Sequence, residues 1–501
     1  MSAKSLMIMG TASDVGKSVI VTALCRAFTR AGVRVAPFKS QNMSNNAAVC
    51  PSGGEIGRAQ AVQAEACGLE PTVDMNPVLL KPETDTGCQV VIRGQVRFHM
   101  RAHDHERYRA EAWPEIVESY RTLAQQFDLV MIEGAGGAAE VNLRERDIVN
   151  WAIADLADAP VLLVADIDKG GVFASLVGTL ELLSSTERRR VQGFLINKFR
   201  GDIRLLESGL HFLEQRTGLP ILGVIPYLRA LRIPQEDAAI LDGPLSPLSA
   251  RPITMGVIRL PRISNYTDFT PLEDEPDVAV RYLSDPALAS SLEVLILPGS
   301  KSTVADLRWV RQVGWEDALI RHVRKGGWVI GICGGYQMLG QWILDPQRIE
   351  SDTTETVGLG LLEVTTHFAH KKVTAQVKGQ ERMSGLAIAG YEIHAGRIQQ
   401  EASARSLFCL TERSGHLINE PEGTQSSDGR VWATAIHGIF DNSQFRRCVI
   451  DRIRTAKGLV PLEAASPIDA VTQRAQAYDR LADELIVHTD FPRIAAIAEV
   501  S

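Results

Sequence analysis

Cys333 stands where a cysteine can serve as a nucleophile. It lies in Gly331-Ile332-Cys333-Gly334-Gly335, after the apolar run Trp328-Val329-Ile330 and before a helical pattern that opens at about Tyr336. G-x-C-x-G between a strand and a helix is the cysteine form of the nucleophile elbow. The turn is so tight that its neighbours must be small, and the helix N-terminus that follows favours thiolate over thiol. A free cysteine with no such setting is usually a small buried hydrophobe. The spacing here, together with a second residue, points to chemistry. That residue is His437, which follows the apolar run Val431–Ile436 about one hundred residues further on and precedes Gly438. An imidazole titrates near neutral pH, so it can take the thiol proton and return it to a leaving amine. Backbone N–H groups of the Gly299–Ser300 turn and of Gly334 are placed to receive an oxyanion.

A second kind of chemistry is written near the start of the chain. The apolar run Leu6-Met7-Ile8-Met9 enters Gly10-Thr11-Ala12-Ser13-Asp14-Val15-Gly16-Lys17-Ser18, and a helical pattern continues to about Arg30. Strand, glycine-containing loop, Lys-Ser and helix make a phosphate cradle. Backbone N–H groups around Gly16 would face phosphate oxygens, Lys17 would reach the β- and γ-phosphates, and Ser18 would ligate Mg²⁺. Thr11 stands where the usual spacing has glycine, with Gly10 one residue earlier. Glu133 closes the apolar run of Asp128-Leu129-Val130-Met131-Ile132-Glu133 and is a second Mg²⁺ contact, direct or through water. Asn197-Lys198, at the end of another short run, could read an adenine edge.

Polar side chains crowd two further stretches. Residues 36–46, APFKSQNMSNN, place Lys39, Gln41 and Asn42 behind a buried strand, and Glu55-Ile56-Gly57-Arg58-Ala59-Gln60 follows. So many hydrogen-bonding groups suit a ligand rich in carboxylates and amides, with Lys39 able to stabilise a transferring phosphoryl group and Glu55 a third metal contact. His99, His103 and His105 also cluster, and four-residue spacing would put His99 and His103 on one helix face. With no other ligand group nearby, a polar helix face or loop is the expectation there.

The elements that must position these residues are those of α/β domains. Short apolar runs ending at Lys39, Glu133, Asp166, Asn197 and Pro226 describe a parallel sheet with ligands at its carboxyl edge. A Pro- and Ser-rich stretch without periodicity at 236–250 marks a linker. The division is therefore 1–235, a P-loop-like parallel-sheet domain, and 251–445, a flavodoxin-like domain, followed by a helical appendix over 446–501 with no visible chemistry. In the second domain, runs at 253–258 and 294–297 read as strands and 303–323 as a helix. Residues 360–368, 372–380 and 386–396 read as three strands joined by hairpins.

Composition narrows the function further. The 501 residues carry a net charge of −7, which argues against nucleic acid as the main partner. Seven scattered cysteines without a CxxC are not a disulfide framework, so a reducing, cytoplasmic setting is expected. No secretory leader and no membrane span is expected from the apolar patterning. Oligomeric state is not legible, and a homodimer stays open.

Taken together the motifs resemble a class I-type glutamine amidotransferase domain fused to a dethiobiotin synthetase-like ATP domain, and most closely the cobyric acid synthase family. PFKSQNMSNN (37–46), NPVLLKP (76–82), ADIDKGGVFAS (165–175), NKFRGD (197–202), LPGSKST (297–303), GICGGYQML (331–339), GYEIHAG (390–396) and HGIF (437–440) carry the resemblance over essentially the whole chain. It implies ATP, Mg²⁺ and glutamine as reactants, and a corrinoid as acceptor whose b, d, e and g carboxylates are amidated. It also implies an ATP set of Thr11, Gly16, Lys17, Ser18 and Asn197, and a glutamine set of Gly299, Ser300, Gly334 and Gln337 around Cys333 and His437. Amidotransferases of this fold commonly carry Glu two residues after the histidine. Here Ile439 stands there, which resembles the dyad pattern of this branch and leaves the partner of the imidazole unassigned. The nearest rival is a cobyrinic acid a,c-diamide synthase or a related two-domain amidoligase acting on another polycarboxylate. The rival from another class is a P-loop switch ATPase, which has no use for Cys333 or His437.

Overall fold

Leu6-Met7-Ile8-Met9 has no polar face, and the strand it forms, Lys4–Gly10, lies at the centre of a sheet covered on both sides. Met7 and Met9 enter one core and Leu6 and Ile8 the other, as the two-residue period of a strand requires. The computed structural model describes residues 3–84, 86–101, 104–228, 233–234, 251–462 and 470–500. The linker expected at 236–250 lies outside them, as does His103.

Six parallel strands form the first sheet, in the order Ile221–Pro226, Val191–Phe199, Val161–Asp166, Lys4–Gly10, Leu129–Glu133, Val35–Phe38. Strands therefore lie to both sides of the first one, and the crevice above its carboxyl end is the ligand position of an open α/β sheet. Residues 41–101 depart from this pattern. They build a separate four-stranded sheet from Gln41–Met43, Val78–Pro82, Gly87–Ile92 and Gln95–Arg101, and a ribbon of Ala47–Val49 against Glu55–Gly57. His99 is thus on a strand, paired with Glu83 at 2.7 Å, and not on a helix face with His103.

In the second half, Val278–Leu283, Ile253–Ile258, Val294–Leu297, Trp328–Ile332 and Val431–Thr434 run parallel. Further strands, most of them antiparallel, extend that sheet to twelve, ten of them on its main path. Two expectations change here. The stretch 360–380 is not two strands of a hairpin: Val364–Glu381 is one strand of 18 residues, irregular between Phe368 and Val373. Ala369-His370-Lys371-Lys372 lacks the Gly, Asn or Pro that a tight turn needs, so the chain stays extended through it. The helix expected over 303–323 is two, Thr303–Val313 and Trp315–Arg324, divided at Gly314, whose φ of 92° ends the first.

The C-terminal residues are helical, as expected, and they pack on both domains. The helix Ser443–Ala456 buries Phe445, Val449, Ile450 and Ile453 in the second domain. The helices Ala470–His488 and Phe491–Ile497 then return to the first domain. There Ala477, Tyr478, Leu481 and Leu485 join Ile20, Leu24 and Phe28 of the helix Lys17–Arg30 in one core. Their spacing puts them on one face of a helix, and an apolar face of that length needs a partner. Arg26 fixes the pairing with two bonds to Asp479, at 2.8 and 3.0 Å. The first domain is therefore discontinuous, and the chain crosses between domains twice. All seven cysteines are free. Among the described residues no helix is long and apolar enough to cross a membrane.

Leu481→Ala tests this return. It is expected to cost about 2–5 kcal/mol, as for a buried leucine, and to lower the urea midpoint of the whole chain. A solvated appendix would lose under about 0.5 kcal/mol.

Candidate active sites

The loop after Lys4–Gly10 turns twice through the left-handed region, at Asp14 (φ 58°) and at Gly16 (φ 98°). Any side chain at Gly16 would collide with the Asn197 amide. Asn197 in turn donates to the Val15 carbonyl at 2.8 Å, so the residue expected to read adenine braces the loop. Thr11 N–H continues the strand to Val164 at 2.9 Å. The helix Lys17–Arg30 begins with no side-chain cap and no acid in its first turn, which leaves a field suited to an anion. Lys17 is buried, its Nζ bonded to the carbonyls of Ala12 (3.0 Å) and Gly136 (2.9 Å) across the mouth of the loop.

Glu133 is the hub of this end of the sheet. One oxygen accepts from Ser18 Oγ at 2.8 Å and from Lys39 Nζ at 2.7 Å, and the other from Gln63 Nε2 at 2.5 Å. Burial would raise its pKa, but the Lys39 charge and these three hydrogen bonds hold it below the usual carboxylate range. The carboxylate is ionised and touches a serine hydroxyl, a pair of hard oxygens that suits Mg²⁺. Glu55, expected as a further metal contact, is not part of this set. Its carboxylate is held by Lys372 at 2.7 Å and Lys81 at 3.2 Å. Burial opposes its ionisation, yet the two lysines bring its pKa to about 2. Each of its oxygens is taken by an ammonium partner. Gln41 accepts from Tyr108 and Asn42 donates to Gln60 at 2.9 Å, so these amides are built into the wall.

Cys333 occupies the sharpest turn of the second domain, with φ 50° and ψ −103°, which a non-glycine residue adopts only under constraint. Its neighbours show why they are small. A Cβ on Gly335 would strike the Leu297 carbonyl, and one on Gly334 would lie 2.7 Å from the Ser300 nitrogen. That same approach sets the backbone of Ser300 against that of Gly334, the residue after the cysteine. The Ser300 hydroxyl is engaged by Asp306 at 2.6 Å, which leaves the backbone for chemistry. Gln337 is buried, with Oε1 accepting from Thr303 at 2.9 Å and its amide packed at Gly396.

His437 meets Cys333 as a hydrogen-bond partner, and a Cβ on Gly299 would lie 3.1 Å from its Cε1. Its Nδ1 bonds Asp268 Oδ2 at 2.7 Å, while Asp268 Oδ1 accepts from Gly438 N–H at 2.9 Å. Asp268 is thus the partner that Ile439 is not: Ile439 is wholly buried in the apolar core. Burial would neutralise the imidazole, but the Asp268 charge and the Cys333 thiolate raise its pKa. Burial likewise favours the Cys333 thiol, and the His437 charge and hydrogen bond reverse that and lower it. Both shifts run toward thiolate and imidazolium. Asp268 precedes His437 by 169 residues, in Asn265-Tyr266-Thr267-Asp268-Phe269. Its only sequence signal is a carboxylate set between two aromatic residues. Glu392 and His394 pair with each other at 3.5 Å, and Glu392 with Arg413 at 3.0 Å.

Residues 6–240 match the CobQ/CobB/MinD/ParA nucleotide binding domain, and residues 254–445 match the CobB/CobQ-like glutamine amidotransferase domain. A cobyric acid synthase of Sorangium cellulosum is 48% identical over 510 residues, covering 98% of each chain. Those of Dehalococcoides mccartyi (47%, 99% of each) and Syntrophobacter fumaroxidans (44%, 99% of this chain and 98% of that one) are similar along their length as well. The chain belongs to the cobyric acid synthase family. Like that family, it carries out a glutamine-dependent amidation in cobalamin biosynthesis, using a nucleotide-binding domain and an amidotransferase domain.

In this cobyric acid synthase family member, Asp268→Asn removes the charge that keeps His437 protonated. The imidazole pKa falls, so the alkaline limb of the pH profile for glutamine hydrolysis should move to lower pH, with kcat lower by roughly 10²–10⁴-fold. An unmoved alkaline limb would show that Asp268 does not act on the imidazole.

Proposed function

We propose that the chain converts the b, d, e and g carboxylates of adenosylcobyrinic acid a,c-diamide into amides, with glutamine as nitrogen source and ATP as driver. The observation that supports this most is the line Cys333–His437–Asp268 in a chain whose other half carries a phosphate cradle. The Cys333 thiolate attacks the side-chain amide carbon of glutamine, and the oxyanion is received by the N–H groups of Ser300 and Gly334. With Nδ1 held by Asp268, His437 turns Nε2 toward the sulfur and delivers that proton to the leaving nitrogen, so ammonia departs and a thioester remains. Water, deprotonated by the same imidazole, then releases glutamate and restores the thiolate.

In the first domain a corrinoid carboxylate oxygen attacks the γ-phosphorus of ATP, and ADP leaves. The step is needed because oxide is not a leaving group, whereas phosphate is. Ammonia attacks the resulting acyl phosphate and expels phosphate. Lys17 and Lys39 carry the positive charge that the transferring phosphoryl group requires. Ser18 Oγ and Glu133 are the residues that would hold Mg²⁺, which when bound offsets the phosphate charge. Cys333 is 6% exposed and His437 1%, so ammonia forms out of contact with bulk water, where it would be protonated.

Mass spectrometry of the corrinoid after incubation with glutamine and ATP should show four successive shifts of one mass unit, OH replaced by NH₂. Cobyrinic acid offered in parallel should remain unchanged, and the reverse preference would overturn the substrate assignment. Cys333→Ala should abolish product with glutamine and retain it with ammonium salt. Lys17→Ala should abolish it with either nitrogen source, and full turnover in that variant would remove the phosphate-cradle role.

A further inference from the structure

The catalytic imidazole of the second domain is touched, through one intermediate, by the first. Tyr391 faces His437 across antiparallel strands, and its ring stacks on the imidazole at 5.3 Å between centroids and 22° between planes. The Tyr391 hydroxyl is bonded by Arg58 of the first domain, whose guanidinium carbon also lies 5.2 Å from the ring centre. Arg58 is the first residue of the helix Arg58–Ala66 and bonds the Ala47 carbonyl at 2.9 Å. Its Nε is buried with no acceptor among the described residues. Leaving such a donor unsatisfied costs about 1–3 kcal/mol, so the side chain is not placed there for its own solvation.

The same short helix reaches the ATP site. Gln63, five residues along and therefore about 7.5 Å further, gives its amide to Glu133, the carboxylate shared by Ser18 and Lys39. Gln60, between them, accepts from Asn42. The segment that leads into this helix also holds the loop bearing Asp268. Asn265 Oδ1 accepts from Ala47 N–H at 2.8 Å, and Tyr266 N–H donates to Asn46 Oδ1 at 3.3 Å. Two of the three members of the glutaminase line, His437 and Asp268, are thus held against residues 46–58 of the other domain. The third approaches the same surface: Cys333 Sγ lies 3.6 Å from the carbonyl of Ile393, a residue packed in a small apolar cluster with Ala47 and Val49.

We propose that Arg58 and Tyr391 are positioning residues for glutamine hydrolysis, through which the helix Arg58–Ala66 couples the geometry of His437 to the state of Glu133 in the ATP site. Ligands that draw on Glu133 compete with Gln63 for its oxygen, shift the helix along its axis, and move the Tyr391 ring against the imidazole. Glutamine is then hydrolysed at full rate when the acceptor site is loaded, which keeps ammonia release in step with its use. The segment QNMSNN…EIGRAQ, which reads in sequence as a ligand wall, is by this account chiefly a contact with the second domain. The proposal rests on the assignment of Cys333 and His437 to glutamine hydrolysis.

The test compares Arg58→Ala, Arg58→Lys and Tyr391→Phe with the parent chain in three assays. These are glutamine hydrolysis alone, glutamine hydrolysis with ATP, magnesium and the a,c-diamide present, and amidation driven by ammonium salt. Arg58→Ala and Tyr391→Phe should lower kcat for glutamine hydrolysis roughly 10- to 100-fold, the scale of a sub-ångström misplacement at a reacting group. KM for glutamine should stay within about threefold, and the acceleration by ATP and corrinoid should fall toward unity. Arg58→Lys should recover part of kcat, and ammonium-driven amidation should stay within about twofold of the parent in all three. Parent-like hydrolysis and acceleration in both Arg58→Ala and Tyr391→Phe would overturn the proposal. So would an equal loss of ammonium-driven amidation, which would make these residues part of the acceptor site or of folding. Cys333→Ala run alongside separates the two claims. Glutamine hydrolysis surviving in that variant counts against the Cys333 assignment, whereas a blank there with unaffected Arg58 and Tyr391 variants counts against the coupling alone.

Discussion

A positive imidazole and a negative sulfur, both buried, persist only if a further charge compensates the loss of water. At 2.7 Å Asp268 provides it, and with its second oxygen it also holds the Gly438 N–H. One carboxylate therefore sets the tautomer of His437, its orientation and its charge. Much of the second domain follows from keeping that carboxylate in place. Its loop is anchored at Asn265 and Tyr266, and the strand pair Ile263–Ser264 with Gly299–Ser300 ties the same loop to the turn that supplies backbone N–H groups. The strained elbow at Cys333 then has one imidazole to meet and little room to relax.

The first domain solves a similar problem with the opposite sign. Glu133 is an anion buried at the end of a parallel strand, and Lys39, Ser18 and Gln63 surround it. A third charged group, Glu55 with Lys81 and Lys372, joins the domains directly. Burial brings the Lys372 pKa down to about 8 despite Glu55, with Lys81 and Lys301 repelling it. Removing one partner from such a set leaves an uncompensated charge, at a cost of about 3–5 kcal/mol. Charge pairing of this kind has a strict geometry, so it sets how the two domains meet in a way that apolar contact alone would not.

The return of the chain reinforces that arrangement. Arg474, on the helix Ala470–His488, binds Glu65 at 3.0 Å and reaches Asp441 at 3.5 Å, just beyond the His437 loop. Glu65 belongs to the same helix as Arg58 and Gln63. Two covalent crossings and this bridge restrict the relative motion of the domains far more than one linker would. A reaction that passes a small neutral molecule between sites benefits from that restriction.

What the sequence alone determined is local. Short apolar runs ending in Gly, Lys, Glu or Asn are parallel strands because only a strand buried on both faces reads that way. Gly331, Gly334 and Gly335 around Cys333, and Gly16 before Lys17, mark turns that exclude side chains, and the structure shows the collisions that enforce them. Tertiary structure decided every relation across long stretches of chain. Asp268 answers His437 from 169 residues away. Glu55 is an ion-pair partner because Lys372 reaches it from the other domain. The last helices complete the first core because their apolar face matches that of Lys17–Arg30. No periodicity or spacing encodes such pairings: a side chain's chemistry is written in its type, but its partner is chosen by packing, and packing is a property of the whole chain.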